Sequence, residues 1–140
     1  MNYNKPKLPL RDNLLKHTYC YVCTKGNKQG LKVDFKKKKD KMVGIFVPKR
    51  EHQSYEGITH GGILATLLDA AMNRAIMAQG LVAFTGKLEV RFLKNAPIGV
   101  SLKIIGEVNK RRKTSILGSG FICLPDNSCV AIAKGIFILK

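Results

Sequence analysis

Apolar and polar positions change rhythm along this chain, and each change marks an element. From Gly62 to Gln79 apolar residues stand on nearly every side, interrupted at Thr66, Asp69, Asn73 and Arg74, and the run stops at Gly80. This pattern predicts one helix with a glycine at its C-terminal cap, about 27 Å long at 1.5 Å per residue. Four long alternations of apolar and polar residues follow: Val82 to Leu93, Val100 to Asn109, Thr114 to Leu124 and Ser128 to Leu139. Alternation with period two is the mark of a strand with one buried face, and strands of this length reach roughly 34 to 40 Å, enough to curve around the helix. Their connections, Asn95 to Gly99, Lys110 to Lys113 and Pro125 to Asn127, have the composition of antiparallel hairpin turns.

Ahead of the helix, Leu31 to Phe35 alternates as a first edge strand, the lysine run Lys36 to Lys39 forms the hairpin tip, and Lys41 to Pro48 is a second strand ended by proline. Residues 49 to 58 read as a loop, with Gly57 and the pair Gly61-Gly62 permitting sharp turns before the helix. Residues 1 to 24 read as a tail with a short helix over Arg11 to His17 that packs on the domain, and residues 25 to 140 as a single domain. The expected architecture is α+β: two strands, one long buried helix, then a four-strand meander, with the antiparallel sheet wrapped around the helix. Such a sheet leaves edges and an outer face to be covered, and a second copy of the chain is the simplest cover.

Length and composition narrow the picture. At 140 residues the chain can bury a full core without staples. No apolar run reaches the roughly 20 residues of a membrane span, and Met1 to Arg11 lacks the apolar stretch of a secretory signal, so a cytoplasmic protein with reduced Cys20, Cys23, Cys123 and Cys129 is expected. Cys20 and Cys23 have the spacing of half a zinc site, but no second half is recognisable, and all four cysteines read as small buried hydrophobes; no metal is expected. Lysine and arginine outnumber acids 25 to 9, a field that favours polyanions or a phosphate-bearing ligand. Nucleic acid is the weaker choice, because no aromatic platform is interleaved with the basic turn Lys110 to Lys113.

The chemistry converges on Thr59 to Asp69. Between Ile63 and Met72 the only ionisable side chain is Asp69, so the helix pattern predicts a buried carboxylate, a costly arrangement that points to use. A desolvated carboxylate is a strong general base, and backbone N–H groups at the helix start can stabilise an oxyanion. Arg74 does not stand at the i+3 or i+4 spacing that would pair with Asp69 on the helix; Asn73, at i+4, does, and a buried acid paired with one of these two is the alternative reading. His60 reads either as a cap of the helix start or as a group that orients the loop near the substrate.

The string His60-Gly61-Gly62, with Asp69 nine residues after the histidine, resembles the hotdog-fold acyl-CoA thioesterases of the PaaI-like superfamily. So do Cys20-Tyr21-Val22-Cys23 with Asn27 and Gly30-Leu31, the loop His52 to Ile58, and Thr85 to Phe92; together they extend the resemblance over nearly the whole chain. The resemblance implies a hotdog fold and hydrolysis of an acyl-CoA thioester with no cofactor beyond the coenzyme A of the substrate. Asp69 would be general base or nucleophile, the Gly61 N–H would polarise the carbonyl beside Gly62, and Thr85 would hold the water. Many relatives carry an amide or imidazole six residues before the histidine; here Ser54 stands there and Gln53 one step earlier, and either could take that contact. Arg91 and Lys94, with the Lys110 to Lys113 turn, are the basic residues expected to meet the coenzyme A phosphates.

Helix geometry adds an expectation of its own. Gly62 and Asp69 lie about 10.5 Å apart along the axis, too far to act on one carbonyl, so the site is expected to be shared across a twofold axis in a homodimer or a dimer of dimers. A non-hydrolytic acyl-CoA binder or a hydratase on the same fold is the alternative.

Overall fold

The computed structural model describes residues 19–140; the predicted helix over Arg11 to His17 lies outside them. Six strands and one long helix follow in the order β1 (Lys36–Lys38), β2 (Lys41–Phe46), α1 (Gly61–Met77), β3 (Ala83–Phe92), β4 (Leu102–Arg111), β5 (Ser115–Cys123) and β6 (Cys129–Leu139), with a 3-10 turn at Arg50–His52. The strands form one antiparallel sheet in the order β1-β2-β4-β5-β6-β3, and α1 packs across it. This is the hotdog fold, with the α+β arrangement expected from the alternations. Each of the last four strands lies within two residues of its predicted limits, and α1 ends just before Gly80, whose φ of 76° is the left-handed conformation a glycine cap supplies.

Two local expectations are corrected. Leu31 to Phe35 is not a strand. Its side chains do alternate between buried and exposed, but Lys32 has a φ of 56°, and the N–H groups of Leu31 and Val33 donate to the carbonyls of Tyr21 and Val22 at 2.8 and 2.7 Å. The segment spends its backbone on the Cys20 to Thr24 turn instead of the sheet, and the first strand is formed by three of the lysines. The four long strands are not a simple meander either. Only β4, β5 and β6 follow one another; β3 pairs with β6, so Asn95 to Gly99 belongs to a crossover and not to a hairpin. The crossover is held by Thr59 N–H to the Ala96 carbonyl at 2.8 Å and Gly99 N–H to the Pro48 carbonyl at 2.8 Å, which fastens it beneath the loop leading into α1.

The core lies between α1 and the concave face of the sheet. Leu64, Leu67, Leu68, Ala71, Met72, Ala75 and Ile76 form the buried stripe of the helix and meet Ile104, Ile116, Ile122, Ala133 and Phe137. The helix sits unusually deep because the sheet offers glycine under it: a Cβ on Gly106 would lie 2.1 Å from the Ala71 carbonyl oxygen. Backbone-to-backbone approach of this kind fixes the depth and tilt of α1, and with them the position of every residue on its other face.

Candidate active site

Asp69 is the third correction. It is only half-buried within one chain, because the apolar character of α1 serves one deep face while Ile63, Thr66, Asp69, Ala70 and Asn73 occupy a shallower side. That side faces β3, the last strand of the sheet. Thr85 of β3 donates its hydroxyl to Asp69 Oδ1 at 2.6 Å, a short hydrogen bond between the strand and the helix. A bulge at Gly86 makes this possible. Thr85 pairs with Phe137 and Lys87 with Ile136, so one extra residue lets Thr85 face the helix while Leu88, Val90 and Phe92 do so as well.

The start of α1 supplies the second half of the arrangement. The loop before it is closed by the paired Gln53 and Thr59, by Ser54 N–H to the Ile58 carbonyl at 2.9 Å, and by the positive φ of Gly57. His60 is the cap: its Nδ1 accepts from Gly62 N–H at 2.8 Å, and its carbonyl accepts from Ile63 and Leu64 at 3.0 and 3.3 Å. Three of the four leading N–H groups of the helix are thereby used. The fourth, on Gly61, has no acceptor among the described residues and lies at the positive end of the helix dipole. The Phe92 ring flanks it, 3.6 Å from where a Gly61 Cβ would stand.

Gln53 and Ser54 are placed beside the helix start but not aimed alike. The Gln53 amide is tied into its own loop, accepting from Gly57 N–H and donating to Glu56, both at 3.3 Å, whereas the Ser54 side chain is exposed. Arg91 and Lys94 both lie at the far end of β3, near Phe92. Arg91 pairs with Ile132 and faces the convex side of the sheet, opposite Asp69, over a hollow of about 190 Å³ shared with Glu89, Phe121 and Lys134. Lys94 is hydrogen-bonded to Ser128 Oγ, whose hydroxyl and N–H also hold the Asp126 carboxyl below its usual range, with the Lys94 charge adding to the effect.

The cysteines form two separate pairs. Burial, then a hydrogen bond with Cys20, pushes the Cys23 thiol up to about 11, and burial raises Cys123, whose cross-strand partner is Cys129. Among the described residues no group of three or more His, Cys, Asp or Glu side chains could hold a metal ion.

Two residues of the site were missed in the sequence: Phe92, which shows no signal there, and Asn73, whose amide donates to the Ala83 carbonyl at 3.2 Å. Its spacing of four from Asp69 places it on the same side of the helix and was the signal available.

A carboxylate with a hydroxyl partner on the open side of a sheet-wrapped helix, together with an uncommitted N–H at the helix start, is the equipment of a hydrolytic or acyl-transfer site. The chain belongs to the thioesterase superfamily, whose family model matches residues 56–130. No curated protein matches it. Among solved structures it resembles a thioesterase superfamily protein with a TM-score of 0.82 and 22% identity, over 86% of this chain and 63% of that one, so this chain spans under two-thirds of that neighbour's length. It also resembles smu.793 from Streptococcus mutans UA159 bound to acetyl CoA (TM-score 0.73, 21% identity, 77% of this chain and 88% of that one). The E. coli PaaI protein from the phenylacetic acid degradation operon is a third (TM-score 0.73, 22% identity, 79% and 80%).

Proposed function

We propose that this protein is an acyl-CoA thioesterase whose site is shared between two chains. The observation that carries the proposal is the hydrogen-bonded pair Asp69 and Thr85 on the open side of α1, eight residues from the open Gly61 N–H. Eight residues are about 12 Å along the helix axis, and a carbonyl about 3 Å from the Gly61 donor is beyond the reach of Asp69 on the same helix. The other half of the arrangement is β3, which ends the sheet with one side unpaired over ten residues, exposing Phe84 and Phe92. A long edge of this kind is a template for a second strand. Antiparallel pairing of β3 with its copy across a twofold axis runs the two α1 helices in opposite directions and brings the N-terminus of one beside Asp69 of the other, giving two equivalent sites.

In each site the Gly61 N–H of one chain donates to the thioester oxygen, and Asp69 of the other takes a proton from water held by Thr85. The water oxygen bonds to the carbonyl carbon, the C–S bond breaks, and the coenzyme A sulfur leaves as a thiolate that is then protonated. In the variant route the Asp69 carboxylate attacks the carbon and expels the coenzyme A thiolate, and water then cleaves the mixed anhydride to release the free acid and restore the carboxylate. Lys94, at the end of β3 nearest the helix start, meets the phosphates, and Arg91, on the convex face, reaches them only around the free edge of β3, with Gln53 or Ser54 beside the thioester and His60 holding the loop as cap. Support for the ligand comes from the Streptococcus mutans neighbour, which is bound to acetyl CoA.

Asp69→Asn tests the assignment: thiol release from a panel of acyl-CoAs should fall at least about 100-fold, the lower range for loss of a general base, in a protein that stays folded and still binds acyl-CoA. Near-normal hydrolysis would refute it. Binding without hydrolysis in the unmodified protein would favour the acyl-CoA binder instead.

A further inference from the structure

The Asp69 and Thr85 pair depends on where an edge strand lies, and an edge strand has a neighbour on one side only. Lys140 N–H donates to the Val82 carbonyl at 3.1 Å, so the backbone groups of residue 82 point toward β6. Successive residues of a strand point their carbonyls in opposite directions, so that of Ala83 is directed to the unpaired side of β3. There it meets Asn73 Nδ2 at 3.2 Å. Asn73 stands one helical turn beyond Asp69, and Ala83 stands two residues before Thr85, so the two side-chain bonds are successive rungs between α1 and β3. The rungs differ in kind. One joins the reacting carboxylate to a hydroxyl, and the other holds backbone to helix.

We infer that Asn73 is a positioning residue, which pins the start of β3 to α1 and thereby holds the Thr85 hydroxyl on Asp69. This rests on the reading of Asp69 as the reacting carboxylate. Just after Thr85 comes the Gly86 bulge, where the ladder to β6 is locally disrupted, so the sheet alone constrains Thr85 weakly on that side. The Asn73 amide supplies the constraint from the other direction. Asn73 bonds to the Ala83 backbone and not to Asp69 or Thr85, so it acts through the strand.

A double-mutant cycle in the full-length protein separates this role from simple packing. Asn73→Leu keeps the volume and removes the donor, and Thr85→Val keeps the shape and removes the hydroxyl. Each should lower kcat about five- to tenfold with KM nearly unchanged, and the double variant should be no worse than the poorer single one, because both changes break the same unit. Losses that multiply in the double variant, a raised KM with unchanged kcat, or an unchanged kcat in folded Asn73→Leu would each overturn the inference. Should Asn73→Leu not fold, Asn73→Ala takes its place in the cycle. Failure of the thioesterase reading is visible separately, as hydrolysis that persists in Asp69→Asn; multiplying losses alongside an inactive Asp69→Asn would remove the role of Asn73 alone.

Discussion

The two sides of α1 are built on opposite terms. Toward the sheet the helix is closed: seven side chains are buried, and its backbone almost touches that of β4 at Gly106. Toward β3 it is unfinished, with a half-buried carboxylate, an uncommitted N–H one end away, and a strand whose outer edge has no neighbour. The closed side is filled by its own chain; on the open side Asp69 and Asn73 bond to β3, while the Gly61 N–H and the outer edge of β3 have no partner among the described residues. Close seating on one side fixes the placement of residues on the other, since a helix packed against backbone leaves little room to shift.

The most severe test of that contrast is on the open side. Gly61→Pro removes the N–H, and proline is well suited to the first helical position, all the more so because His60, at φ −59° and ψ 131°, already has the extended conformation preferred before proline. The variant should therefore fold normally while losing roughly 100- to 1,000-fold in kcat, as expected for an oxyanion donor. Mixed with Asp69→Asn it should regain about one working site per heterodimer if sites are shared. A verified, folded heterodimer with no activity would remove the sharing.

On the closed side the expected loss is in stability. Gly106→Val places a Cβ against the Ala71 carbonyl, and overpacking of this severity should cost about 3 kcal/mol or more and lower Tm by about 10 °C. An unchanged melting curve would mean that the close approach does not anchor the helix. The smallest effect lies where the two sides meet. His60→Ala deprives the Gly62 N–H of its acceptor and should cost about 1 kcal/mol, with His60→Asn recovering most of it by serving as a conventional cap. Loss of activity in His60→Asn at unchanged stability would show that the histidine does more than cap.

The local rhythm of the sequence was enough for the helix and the four long strands, because a period of two or a glycine stop is a property of neighbouring residues. It was enough, too, to single out Asp69, the lone acid in an apolar helix, and with the resemblance to relatives to set Thr85 beside it as a candidate. What it could not supply was anything decided between distant segments. Leu31 to Phe35 carries a strand pattern, yet its backbone is claimed by the Cys20 to Thr24 turn; β3 follows the helix, yet pairs with the last strand. Apolar residues around Asp69 suggested burial because a sequence cannot tell a side of a helix covered by its own sheet from one left for a partner. That distinction belongs to the tertiary structure, where the sheet order leaves β3 at an edge and turns the shallower side of α1 outward.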